Sequence, residues 1–518
     1  LLNIKPGNGR GDEGIQWHLY DADPEGMLAD LQRDADVDNL GPLRSLNSGG
    51  HGQATIQAPS RENGRALAMY YGRMYGHGHS DRLNFLLVAE NVVMTPDNGY
   101  PLYTGQWPKR FGWVRHIVSH NTVMVNDTNT KSEVFSGKTR LFADEGPLHV
   151  ADVDGGPIYE GVSTYRRCMV MVDADERNSY VLDLFWVRGG SNHRLIQNGG
   201  GPAVTTEGLA LTDQPTGTLA GPDVAYGEPY DGDLNSQYTG TGFSFLENVA
   251  KAGPSEEFRV DWLMVEPRRT MPDDWEAHLR LHNLTPVDDV VLADGIPPAF
   301  KGNPERLRYL HRNRLGEDLE SQFITVLEPY AHEPFVESVR ALPLESDGEG
   351  FAAAVEVTLA DGRRDIVLVT EEPATISAGG VSMTGRIGLA RFDGDAVTER
   401  VLIQGERLEA GGETLTLPVG ALQGTLAGWD DSDPERLLLD LEGAELTDEV
   451  VGRYIIFANS ERSDASYRIV EVVDEDTVGV AAHSLVERFV DPSNYDSGLL
   501  YTIAPGDEFV IAMSGAEE

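Results

Sequence analysis

The chain has 518 residues, a formal net charge of −43 and 40% hydrophobic residues, enough apolar content to fill the cores of roughly two to four domains. Such a charge repels nucleic acid and anionic membranes, so neither is an expected partner, and no apolar run is long enough to cross a bilayer as a helix. A single cysteine, Cys168, excludes a disulfide framework and a cysteine-based zinc site.

In chain order, residues 1–48 form a mixed N-terminal segment. Within it, PEGMLADLQRDA (24–35) reads as a short helix, with Asp23 as N-cap and Pro24 at the first helical position. The chain starts at Leu1 rather than Met and shows no signal-peptide pattern, so it reads as a processed or trimmed chain. SLNSGGHGQ (45–53) reads as a linker. The signal then becomes β. ALAMYYGRMYGHGH, LNFLLVAENVVMT and HNTVMVN are short apolar runs broken by Gly, Asn, Asp and Pro. YRRCMVMVDADERNSYVLDLFWVRGG (165–190) reads as a hairpin turning near Asp175–Asn178. Strands continue through FITVLEPY, DIVLVT and RIGLARF, with almost no helical periodicity. The expected fold is mainly β: a large antiparallel β-sandwich over 49–417, with one face of each sheet buried. PVGALQGTLAGWDDSD breaks the rhythm near 418–432, and RYIIFANS, YRIVEVVDEDTVGV and GDEFVIAM predict a small C-terminal β domain over 418–518.

Four of the 13 histidines, at 77, 79, 116 and 120, fall close together. On an extended strand, residues i and i+2 share a face, so His77 and His79 would look into one space. MTPDNGYP adds Asp97 at a strand-to-turn junction, and SHNTVMVN puts His120 at the start of a strand. Two histidines and one carboxylate are a common first shell for Zn²⁺, and His79, Asp97 and His120 could form it with His77 alongside. Residues 98–126 contain no Asp or Glu, in a chain with 84 of them. That window carries Lys109, Arg110, Arg115, Tyr100, Tyr103, Trp107, Phe111 and Trp113, and Tyr165, Arg166 and Arg167 lie downstream. Aromatic faces stack on sugars and Arg pairs with carboxylates or sulfates, so the window suggests an acidic glycan as partner. Arg82, Lys109, Trp113 and Arg115 are the candidate substrate contacts.

YGHGHSDRLNF, TPDNGYP and SHNTVMVND, in that order, resemble the heparinase II/III-like polysaccharide lyases, and LRYLHRNRLGEDLESQFITVLEPY (307–330) is similar to the same sandwich. The resemblance covers roughly residues 49–415. It implies a supersandwich, Zn²⁺ held by His79, Asp97 and His120, a catalytic His77, and a catalytic tyrosine at Tyr100 or Tyr103. It further implies β-elimination at a uronic acid in a polymer such as alginate or a heparin/heparan-sulfate-like glycosaminoglycan, with a periplasmic or secreted bacterial location. Family members carry an N-terminal α/α toroid with further catalytic groups. Residues 1–48 would be the tail of that toroid, and the partner would be a toroid fragment or a second copy of the chain. Two other readings stand beside this one. A non-catalytic acidic-glycan-binding protein needs no toroid. A non-haem Fe(II) oxygenase would use His79, Asp81 and His120 as its triad, so the choice between Asp81 and Asp97 separates it from the lyase.

Overall fold

The computed structural model describes residues 43–517, apart from 61, 75–77, 100–108, 131–132, 267–270, 273, 300–302, 431–432, 444 and 482–484. The helix expected at 24–35 and the N-terminal segment up to residue 42 lie outside the described residues. The fold is mainly β, and the paired strands are antiparallel throughout. Among the described residues, no helix is long and apolar enough to cross a membrane.

The chain is layered around an eight-stranded sheet in which Lys138–Glu145, Leu148–Asp154, Thr164–Asp173, Ser179–Arg188 and Glu320–Ala331 run side by side. Thr164–Asp173 and Ser179–Arg188 form the expected hairpin, closed by Asp175, whose Oδ1 accepts the N–H groups of Arg177 (2.7 Å) and Asn178 (2.8 Å). This sheet departs from the expectation of one buried face. Met169, Met171, Val181, Phe185 and Val187 point into one core, shared with Phe85, Leu87 and Leu310. Cys168, Val170, Val172, Leu182, Leu184 and Trp186 point into a second core, shared with Val355, Val367, Leu389 and Val401 of another eight-stranded sheet. Apolar residues at successive rather than alternate positions are the sequence counterpart of burial on both faces. A six-stranded sheet containing Val123–Val125, Asn192–Asn198 and Leu307–Leu315, and a five-stranded sheet, enclose the first core from the other side.

The five-stranded sheet opens the described chain. Residues 45–53, expected as a linker, instead form a hairpin in which Leu46–Ser48 pairs with Gln53–Gln57. The sheet continues through Ala66–Tyr70, Asn84–Ala89 and Val92–Val93.

Ala421–Asp430 through Glu508–Ala512 build a six-stranded closed barrel around its own core of Leu426, Leu437, Ile455, Ile469, Val478 and Ile511. Polar groups fix it to the sandwich. Buried Asp464 accepts from Thr139 N (3.0 Å), Thr139 Oγ1 (2.6 Å), Tyr71 Oη (3.0 Å) and Ser466 Oγ (2.6 Å). Lys138 Nζ donates to Asn459 Oδ1 and to the carbonyls of Glu461 and Ser463. After the barrel, Ser514–Glu517 returns to pair with Ala396–Ala410 of the sandwich.

Candidate metal centre

Three separate segments deliver the donors. His79 lies in irregular backbone between the strands Ala66–Tyr70 and Asn84–Ala89, so it does not ride on a strand as the same-face argument required. His77, Tyr100 and Tyr103 lie outside the described residues. Asp97 occupies a turn after Val92–Val93, where its Oδ1 accepts the Gly99 N–H at 2.7 Å. Gly99 takes a φ of 65°, a left-handed conformation open to a residue without Cβ. His120 does not begin a strand either. It caps the C-terminus of a 3₁₀ turn, Ile117–Ser119, at φ −120° and ψ 157°, and the strand starts only at Val123.

The donors nevertheless converge. His120 Nδ1 is 2.9 Å from Asp97 Oδ2, and His79 Nδ1 is 3.7 Å from Asp97 Oδ1. The two imidazole centroids are 5.2 Å apart. One donor atom from each residue lies within 4.8 Å of the other two. An ion with bonds of about 2.0–2.1 Å in tetrahedral geometry spaces its donors by ~3.4 Å, so small rotations suffice to seat one. His120 is 1% exposed, and among the described residues neither ring nitrogen makes a well-formed hydrogen bond, although Nδ1 stands 2.9 Å from Asp97 Oδ2. A buried imidazole in that state is costly, and a divalent cation among these donors would answer it. Two imidazoles and a carboxylate are a zinc-type set.

The charges follow the same geometry. Burial would raise the Asp97 carboxyl, but the His120 and His79 rings beside it hold it far below the usual carboxylate range. Burial would lower His79, but its hydrogen bond and charge interaction with Asp97 raise it. Asp81 stands outside the convergent set. Burial lifts its carboxyl above the ordinary range, and its Oδ1 is buried without a hydrogen-bond partner among the described residues. Among the described residues, Asp97 rather than Asp81 groups with the two histidines. His116 belongs to the scaffold: its Nδ1 accepts the Val118 N–H at 3.1 Å, so its Nε2 donates to the Gly240 carbonyl at 2.9 Å. Burial pushes it down to about 3, keeping it neutral.

Polar rungs stitch the donor segments together. Thr122 Oγ1 donates to the Arg82 carbonyl (2.6 Å), and Asn121 N donates to Asn84 Oδ1 (2.9 Å). Asn198 N donates to Asn121 Oδ1 (2.7 Å), and its Nδ2 reaches the Pro96 carbonyl (3.2 Å) next to Asp97. These asparagines were not singled out in the sequence. The available signal was an Asn beside each donor motif, in RLNF and SHNT.

The expected substrate contacts divide. Arg82 is fully buried, and its guanidinium donates to the carbonyls of Gly155 (3.0 Å) and Phe135 (2.8 Å), so it braces backbone rather than facing a glycan. Trp113 is also fully buried, donating from Nε1 to the Ile296 carbonyl and packing edge-on against Tyr309. A Cβ on Gly295 would lie 2.3 Å from its ring, so the indole fills its slot completely. Tyr165, Arg166 and Arg167, read as surface chemistry, are likewise buried. Lys109 and Arg115 stay half-buried. Lys109 Nζ lies 6.0 Å from the centre of the Tyr226 ring, and the Arg115 guanidinium lies 5.8 Å from that of Phe111, with its charge felt at His79. Two surface cavities lie elsewhere, one beside Pro343–Glu345 and Ser377–Ser382 and one beside Glu207, His282 and Glu337, and no donor lines either.

Residues 66–173 match the family described as heparinase II/III-like, C-terminal. An alginate lyase of Stenotrophomonas maltophilia (strain K279a) is 24% identical over 372 residues, covering 67% of this chain and 46% of that protein. A heparan sulfate lyase of Pedobacter heparinus superposes with a TM-score of 0.42 at 14% identity, covering 63% of this chain and 42% of the other. A heparinase III superposes at 0.39 and 15% identity, covering 62% and 42%. The chain thus spans less than half the length of these relatives. Residues 66–173, the stretch that matches the heparinase II/III-like, C-terminal family, carry all three converging donors.

Proposed function

We propose that this chain is the sandwich portion of a polysaccharide lyase that cleaves a uronic-acid-containing glycan by β-elimination, with Zn²⁺ held by His79, Asp97 and His120. The observation that carries the reading is the convergence of those three residues, from three separated motifs, inside the segment that matches the family. Alginate is the first substrate to test, because the relative similar over most of this chain is an alginate lyase. A polymer of that kind would be met in the periplasm or outside the cell, which is the location that goes with this reading.

In the reaction, a base takes the proton at C5 of the uronate, the C4–C5 double bond forms, and the C4–O bond breaks as an acid protonates the leaving oxygen. Charge developing on the carboxylate needs cationic donors aimed at it, and Arg115 and Lys109 are the half-buried cations for that task. His77 is the proposed base, and Tyr100 or Tyr103 the proposed acid. Bound zinc would fix the His79, Asp97 and His120 segments relative to one another, which orients the residues next to them in sequence.

The test is the ultraviolet absorbance of the unsaturated uronate, followed with alginate, heparin and heparan sulfate. With the full-length protein that carries this sandwich, alginate should give product, and His77→Ala should slow it by at least about 10²-fold, as loss of a positioned base does, while zinc content stays unchanged. Salt-sensitive glycan binding without product would establish the binding-protein reading instead. Neither product nor binding with any uronan would refute both.

A further inference from the structure

One buried group joins two of the donor segments and has no part in the chemistry above. Arg167, in the strand Thr164–Asp173, is fully buried. Its Nε and Nη2 donate to Asp183 Oδ1 (2.8 Å) and Oδ2 (2.6 Å), a bidentate pair that fixes the guanidinium plane. The rings of Phe85 and Phe185 lie 4.6 and 5.2 Å from its carbon. That leaves Nη1, whose two hydrogens go to two different segments: the Leu83 carbonyl at 2.7 Å and the Asn121 carbonyl at 2.5 Å. Leu83 is four residues after His79, and Asn121 directly follows His120.

Leu83 supplies a second, independent observation. It is a buried leucine at a φ of 60°, a left-handed conformation that costs any residue with a Cβ and persists only where its surroundings enforce it. Its N–H donates to the Tyr70 carbonyl at 2.8 Å, and its carbonyl is the one Arg167 holds. The strained turn re-aims the chain between His79 and the strand Asn84–Ala89.

We infer that Arg167 is a positioning residue for the metal centre: it sets the spacing between the His79 and His120 segments before any ion arrives. The inference rests on the zinc reading above. A metal site prearranged in this way loses little chain freedom on binding, and outer groups that orient ligands commonly govern affinity by about 10–100-fold. Lysine cannot replace the guanidinium. One ammonium cannot keep a bidentate carboxylate and also reach two carbonyls in a fixed plane.

The experiment titrates the 518-residue protein and its Arg167→Lys variant with Zn²⁺ and Co²⁺, recording dissociation constants, the visible spectrum of the cobalt form, and the melting temperature of the metal-free protein. The expected result is a 10- to 100-fold loss of affinity with a changed cobalt band. Equal affinity and an identical band in a folded variant, even with a lowered melting temperature, would make Arg167 an ordinary core residue and overturn the inference. Should Arg167→Lys not melt cooperatively, Asp183→Asn, which loosens the bidentate grip that fixes the Arg167 guanidinium plane and touches none of the three donors, takes over: about tenfold weaker binding supports the inference, and unchanged binding overturns it. A wild-type protein that takes up neither ion would refute the metal reading itself, which is distinguishable from a wild type and variant that bind equally well.

Discussion

Replacing Asp97 with asparagine tests the metal centre with the smallest change of shape. The carboxylate is the one anion of the convergent set, lying 2.9 Å from His120 and 3.7 Å from His79. Asp97→Asn keeps a side-chain oxygen for the Gly99 N–H but removes the charge that draws a cation to this point. At free zinc near 100 times the wild-type Kd, binding stabilises the folded protein by about 2.7 kcal/mol, and a variant with ~10³-fold weaker affinity retains less than about 0.1 kcal/mol of that. Unfolding entropy near 2.1 cal/mol/K per residue gives roughly 1 kcal/mol/K for a unit the size of Ser45–Glu518, so zinc should raise the wild-type Tm by ~3 °C if the unit melts together. Calorimetry in zinc-buffered and chelator-containing solutions reads this directly. The expected outcome is a zinc-dependent shift in wild type and none in Asp97→Asn. Equal shifts in both would place the ion elsewhere, and no shift in wild type at saturating zinc would refute the site.

Two further outcomes concern the scaffold. His149 is buried between Asp144 (2.9 Å) and Asp173 (3.2 Å); burial works against its charged form, but the two carboxylates prevail and push it up to about 9. A histidine raised in the folded state stabilises fully below its unfolded pKa near 6.5 and loses that contribution as pH rises through about 9, on the order of 3 kcal/mol. Urea denaturation at pH 6 and pH 10 should show that fall in wild type and a flatter profile in His149→Phe; the same fall in both would refute the assignment. Trp113→Ala should cost about 3–5 kcal/mol in urea denaturation, as large-to-small changes in a filled core do. Reduced glycan binding at unchanged stability would instead restore its surface role.

The donor set was legible because each member stands in a short motif whose neighbours are small or polar, and because coordination chemistry restricts which residue types can meet. The backbone under those motifs was not. Strand-pattern reasoning put His79 and His120 on strands, whereas His79 lies in irregular backbone and His120 caps a 3₁₀ turn, where hydrogen bonds among Arg82, Asn84, Asn121 and Thr122 rather than side-chain alternation fix direction. Nor does a lack of carboxylates mean exposure throughout the acid-free window: Trp113 is fully buried, with its Nε1 donating to the Ile296 carbonyl, while Lys109 and Arg115 stay half-buried. A better sign of a buried cation was present in the hairpin: Arg166 and Arg167 interrupt one apolar strand, and Asp152 and Asp183 interrupt its two neighbours. A charge that breaks an apolar run is answered by an opposite charge breaking the run beside it.

The strand that returns from the barrel bears on how the protein is made. In Ala396–Ala410, residues Arg400–Ile403 form their outer ladder with Ser514–Glu517. Until residues 514–517 have been synthesised, that stretch offers open N–H and C=O groups to any passing strand. At a translation rate of about 5–20 residues per second, the intervening 404–513 take roughly 5–20 s. For that interval the nascent sandwich carries a sticky edge, and the barrel must close promptly to deliver its cover. Slow codons or chaperone shortage within 404–513 should therefore reduce yield through aggregation at this edge, while the same delay placed after residue 517 should be harmless.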